Sequence, residues 1–281
     1  MVKITEDDTQ KASEITNKTL VTWPIAKERR TQREKDRKAF GRTAMVLEFK
    51  GDNTLFRAEI LEAATKITDR ETRIDVICPE KDISKVQNLV HDINLCIAMD
   101  NMIREFGSRE RAADVLVEAV KNGQMSYQGA EVLAKLGVSQ SQVEKIMQIA
   151  EDRKLGGSRR DFAVMTLEVV GSPIAIPCLI RLLEDDTSIN NASSEELSNR
   201  ISDSAARALG KIGDSTALDP LKKLLGKRSF YTRDWIPRHA ITKILERQDG
   251  EKLEPPAAFA KRPVPSKPEP TPTGPKKGRV S

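Results

Sequence analysis

MTLEVVGSPIAIPCLIRLL at 165–183 and RALGKIGDSTALDPLKKLL at 207–225 overlie each other at one offset of 42 residues. Leu167 meets Leu209, Gly171 meets Gly213, Ala175 meets Ala217 and Leu179 meets Leu221. Leu182 and Leu183 meet Leu224 and Leu225, and upstream Ala163 meets Ala205. Each copy reads as a helix, a glycine-containing turn and a second helix that starts at a polar or proline position. One such pair leaves an apolar face uncovered on either side, so the copies must stack. These two units therefore predict an all-α fold with a short α-solenoid in its C-terminal part.

The units resemble the HEAT-like helical repeats of the phycobilisome-lyase type. Such repeats carry an Arg, small residues after it, an Ala-Leu-Gly step, a Gly-Asp turn and a Leu-rich second helix. The copy nearest that pattern is ARALGKIGDSTALDPLKKLL at 206–225. Arg160 stands seven residues before Leu167, as the pattern asks, and Arg238 stands seven before Leu245 in a partial third unit, DWIPRHAITKIL. The middle unit departs from the pattern by having Ser202 at that place. The resemblance covers about 158–247 and implies the fold. Some relatives of these repeats are bilin lyases, but no residue here matches a lyase-specific pattern. Residues 185–200, DDTSINNASSEELSNR, are longer than the turn requires, and read as either a binding insertion or a tolerated loop.

Upstream, residues 43–155 read as a further helical module. Asp52-Asn53 can cap a helix through about Lys66, with Leu55, Ala58, Ile60 and Leu61 on its apolar side. Thr72–Cys78 is β-branched and ended by Pro79, and reads as a strand or a short buried helix. Residues 82–106 form a long helix with Ile83, Val86, Val90, Ile93 and Ile97 at spacings of three and four. Sustained heptads are lacking, so this is a bundle or solenoid helix rather than a coiled coil. Residues 109–121 repeat the pattern with Ala112, Val115, Leu116, Ala119 and Val120, and Gly123 ends it.

Charge sits at the two ends. The net charge is +5, but residues 27–42 carry +5 and residues 251–281 carry +4, so the centre is slightly acidic. Residues 1–42 read as a flexible arm, basic from 27. The Pro- and Lys-rich 251–281 reads as a disordered tail. Basic arms of this kind hold a polyanion without sequence preference or stay solvated. The hydrophobic fraction of 38 % and the aromatic fraction of 4 % suit charged helices better than a β-sandwich. Three widely spaced cysteines argue for a reducing compartment, and no apolar run reaches membrane-spanning length, so the expected location is the cytoplasm.

Little in the chain points to catalysis. The two histidines, His91 and His239, have no second His at metal spacing. Nucleotide-binding and nucleophile-elbow motifs are missing. We therefore expect no enzyme activity and no cofactor. The expected role is a protein-interaction scaffold. Its candidate partner contacts lie in RSFYTRDWIPR, where Arg228, Phe230, Tyr231, Arg233 and Trp235 set aromatics beside arginines. The alternative is association with nucleic acid. Arg29, Arg30 and Arg33 would meet phosphates. GAEVLAKLGVSQSQVEKIMQIAED (129–152) resembles a helix-turn-helix, with Gly137 in the turn, and Ser139, Gln140, Gln142 and Lys145 would face outward. Leu133 departs from that family's preference for a small residue four before the turn glycine.

Overall fold

The computed structural model describes residues 4–18, 20–22, 25–26, 42–67, 72–187, 189, 200–227 and 235–249. The fold is all-α apart from one small sheet. Its helices are α1 (Glu6–Asn17), α2 (Asn53–Thr65), α3 (Ile83–Phe106), α4 (Arg109–Asn122), α5 (Tyr127–Leu136) and α6 (Gln140–Glu151). The repeats then supply α7 (Gly157–Val170), α8 (Ile176–Leu182), α9 (Ile201–Ile212), α10 (Leu218–Lys227) and α11 (Trp235–Asp249). No helix among the described residues is long and apolar enough to cross a membrane.

From α3 onward the odd-numbered helices lie side by side. α3 packs on α5, α5 on α7, α7 on α9 and α9 on α11. The even-numbered helices form a second row, α4 on α6 and α6 on α8, and each of α4, α6, α8 and α10 packs on the odd helix that follows it. The stack therefore begins at residue 83, and the boundary expected at 155/156 does not interrupt it. One apolar core runs through it, from Ala12 and Leu95 to Ile244.

Within the repeats the paired small residues Ala163, Ala205, Ala175 and Ala217 are fully buried, which lets neighbouring helices approach closely. The aligned glycines act differently. Gly171 ends α7 in the left-handed region at φ 73°, whereas Gly213 ends α9 in extended backbone.

The Arg of the repeat pattern has a structural task. Arg160 is 1 % exposed, and its Nε donates to the Ala150 carbonyl in the last turn of α6 at 2.8 Å. Its Nη2 donates to the Asp185 carboxylate at 2.5 Å, and its Nη1 reaches the Thr187 hydroxyl at 3.3 Å. One guanidinium thus ties α7 to the helix before it and to the loop after α8. Burial would raise the Asp185 pKa, but the hydrogen bonds from Arg160 and Thr187 outweigh it and hold the group down at about 2.

The first 80 residues depart most from expectation. Residues 6–17 are not part of a flexible arm. Thr5 and Asp8 form a capping box, and α1 packs across α3, α4 and α5 with Thr9, Ala12 and Thr16 buried. Thr9 and Thr16 return their hydroxyl protons to the carbonyls of Glu6 and Ser13, so the polar face is satisfied inside the helix.

The stretch Thr72–Cys78 is a strand, β3. It lies between β1 (Ile25–Ala26) and β2 (Arg42–Glu48), and both pair with it in parallel. Two parallel strands need a crossover, and α2 supplies it between β2 and β3. Asp52 caps α2 by accepting from the Thr54 and Leu55 amides. Ile60 is buried as expected and Leu61 half-buried, but Leu55 and Ala58 are exposed, and Phe56 and Ala63 complete the buried side.

The long helix α3 joins the two cores. Val86, Val90 and Ile93 pack into the sheet cluster, while Leu95, Ala98 and Met102 belong to the stack. Asn94, buried at that junction, accepts from the Val21 amide at 3.0 Å and donates to the Val21 carbonyl at 2.8 Å. It completes the backbone pairing of a segment that has no strand beyond it among the described residues.

Candidate partner-binding groove

α9 and α11 approach closely along one line. A methyl group added at Gly210 would lie 3.0 Å from the Ala240 Cα and 3.2 Å from its Cβ. Arg247 of α11 reaches back over α9 and donates to the carbonyls of Gly210 at 2.6 Å and Gly213 at 2.7 Å. These two contacts fix the spacing of the last odd-numbered helices. On the outer side of their crossing, with Glu168 of α7 contributing one wall, lies a groove of about 520 Å³.

The groove sets a large aromatic beside several charges. Trp235 opens α11 and is 65 % exposed. Its helix adds His239 and Lys243 at four-residue intervals, so all three lie on one face. α9 adds Ser204, Arg207 and Lys211. Arg207 donates to the Ser204 hydroxyl at 2.9 Å and stands 3.8 Å from the Glu168 carboxylate. The Ser204 hydroxyl in turn donates to Asp161 of α7, whose pKa is raised by burial against the lowering effect of that bond and of Arg207. Lys243 pairs with Glu246 at 3.0 Å.

The same face continues toward α5 and turns acidic. The Tyr127 phenol is raised in pKa, first by burial and then by the negative charges of Glu131 and Glu168, so Tyr127 lies within electrostatic reach of both. Glu131 also meets His91 of α3 at 3.1 Å. Next to it, Asp92 takes Arg57 of α2 at 2.6 Å and Lys135 of α5 at 2.6 Å. The two salt-bridging cations hold the Asp92 carboxyl below its usual range. These pairs lock the sheet region onto the stack.

Of the aromatic–arginine cluster read from the sequence, Trp235 falls in the groove. Arg228, Phe230, Tyr231 and Arg233 lie outside the described residues, as do Arg29, Arg30 and Arg33. Arg207, Lys211 and Lys243 were not singled out from the sequence, and His239 was weighed only as a metal ligand. Their signal was the four-residue spacing of polar groups opposite the apolar face of each repeat helix.

The helix-turn-helix expectation is corrected at its centre. α5 and α6 do form a hairpin with Gly137 in the turn, and Val143 and Ile146 do pack inward. Gln142, however, is 3 % exposed. Its Oε1 accepts from the Ser139 amide at 2.9 Å, closing a capping box, and its Nε2 donates to Asp114 of α4 at 2.9 Å. Both ends of the amide are committed, so it is not presented to a base edge. The Ser139 hydroxyl accepts from the Gln142 amide, Gln140 binds Glu144 at 2.9 Å, and Lys145 lies 4.0 Å from Asp114. The hairpin is one rung of the stack: α4 covers Gln142, while Ser139, Gln140 and Lys145 are exposed, as the sequence led us to expect. Gln142→Ala is expected to cost about 1–3 kcal/mol in equilibrium denaturation, since it strips a cap and a buried bond. Gln140→Ala, at an exposed site, should change stability by no more than about 0.5 kcal/mol.

Comparison with known families finds one match: residues 203–227 fit the PBS lyase HEAT-like repeat. This is α9 and α10, of which α9 lines the groove. Neither the curated proteins nor the solved structures gave a match.

Proposed function

We propose that this chain is a non-catalytic interaction scaffold that holds a partner protein in the groove between α7, α9 and α11. The observation that carries the reading is Trp235, 65 % exposed at the mouth of a groove lined by cations. A tryptophan offers a large apolar surface at small entropic cost, and such residues dominate the binding energy of interfaces. Repeat stacking supports the reading, because it supplies a firm surface whose side chains are already held in place. The sparse cysteines support a cytoplasmic setting. The nucleic-acid alternative rests on the charge of 27–42 and 251–281 and on the exposed Ser139, Gln140 and Lys145, since Gln142 is committed to the fold.

Affinity capture with the full chain tests the proposal. A stoichiometric protein partner should be retained at physiological salt, and Trp235→Ala should weaken its binding at least tenfold, about 1.4 kcal/mol. The exposed site makes the variant safe for folding. Equal capture by both proteins would remove the groove from the binding surface.

A further inference from the structure

We infer that the groove takes an acidic linear peptide segment that carries one large apolar side chain. This rests on the proposed scaffold reading and adds the chemical class of the occupant. The apolar side chain would seat on Trp235 and Ile236, both of which line the groove. The acidic groups would meet Arg207, Lys211 and Lys243.

The charge pattern supports this choice over other occupants. Among the described residues, Lys211 makes no ion pair, and Arg207 is 61 % exposed with its carboxylate neighbour at 3.8 Å. At Arg207 and Lys211 an incoming carboxylate therefore finds donors without displacing a tight pair, whereas Lys243 would be shared with Glu246 at 3.0 Å. The basic side is confined to α9 and α11. Toward α7 and α5 the face is acidic, through Glu168 and Glu131. A nucleic-acid strand carries a phosphate at every nucleotide and would run into those carboxylates, whereas a peptide can confine its acids to one end. The chain's own 251–281 segment carries +4, so its charge disfavours it as occupant.

Helix spacing fixes the register. Neighbouring helix axes lie about 8–10 Å apart, and an extended chain advances about 3.3 Å per residue. The acids should therefore fall within about three residues of the anchor. A neutral or basic residue should follow about six residues from it, opposite Glu168.

Selection from a phage-displayed random twelve-residue library tests this with the full chain as bait. Enriched peptides would be synthesised with a fluorophore and titrated by anisotropy against the wild type, Trp235→Ala, Arg207→Glu/Lys211→Glu and the milder Arg207→Gln/Lys211→Gln. Circular dichroism would check each fold. The inference predicts an aromatic or leucine anchor flanked by two or more acids, with affinity falling at least tenfold in Trp235→Ala and in both charge variants. Enriched peptides that need Trp235 but lack acids, or bind the charge variants undiminished, would overturn the acidic occupant and leave the scaffold groove standing. Peptides indifferent to Trp235, or none enriched, would overturn both. A twenty-nucleotide oligo-dT that binds the wild type and is lost in the charge variants would replace the peptide with single-stranded nucleic acid.

Discussion

Arg160→Ala should destabilise the protein by about 3–5 kcal/mol, the cost of leaving a buried charge without its partner. Arg160 and Asp185 are 1 % and 5 % exposed, so water cannot replace the lost bonds. Truncation would strip the Ala150 carbonyl of its 2.8 Å donor and leave the Asp185 carboxylate, among the described residues, to Thr187, whose amide lies at 3.0 Å, and to Arg153 at 3.9 Å. Arg160→Lys should recover only part of the loss, because an ammonium cannot reach three partners in the plane of a guanidinium. Equilibrium denaturation measures both.

The same pair sets a limb of the acid profile. Asp185 is held near 2, below its ordinary 3.8, so its ionised form is favoured by folding. The resulting stabilisation, about 2 kcal/mol, is complete above pH 4 and is lost as the pH falls toward 2. In Asp185→Asn that limb should flatten. An unchanged acid profile would show that the carboxylate is not held by Arg160.

Gly210→Val is expected to have the second large effect. The 3.0 Å approach of an added Cβ to the Ala240 Cα is tighter than ordinary contact, so α11 must give by a few tenths of an ångström to admit even a methyl group. Gly210→Ala alone should cost about 1–3 kcal/mol as overpacking, and the branched valine more. The damage should be local, because helices in a stack contact chiefly their neighbours. Amide exchange should show α11 losing protection while α3 to α6 keep theirs. Shrinking the opposing side in Gly210→Ala/Ala240→Gly should restore part of the loss. Uniform loss of protection from α3 to α11 would contradict nearest-neighbour stacking.

The sequence was legible where residues repeat and opaque where contacts come from elsewhere. The 42-residue offset revealed α7 to α10 because the same positions bury the same small or leucine side chains. The rungs α3 to α6 stack in the same way, yet share no repeated residues, so their place in the solenoid was hidden. α1 escaped notice because it docks through Thr9, Ala12 and Thr16, which leave no apolar stripe. Thr72–Cys78 showed its strand character in its β-branched residues, but β2 needed β3 beside it to be distinguished from a loop or helix.

Gln142 shows the limit of a helical face read in isolation. It looked outward on α6 until α4 placed Asp114 opposite it. Asp185 looked like an ordinary loop residue because nothing in the sequence brings it back to Arg160, 25 positions away. The groove was half legible. Trp235 stood out as an aromatic among arginines, but its companions on α9 became visible only once α9 and α11 lay side by side.

The proposed function places a partner on the outer face of α9 and α11. Amide hydrogen exchange on the full chain, alone and bound to the protein that it captures, tests this most directly. New protection is expected to concentrate in α9 and the first turns of α11, with α4 and α6 unchanged. Protection confined to α4 and α6, or to residues 27–42, would contradict it.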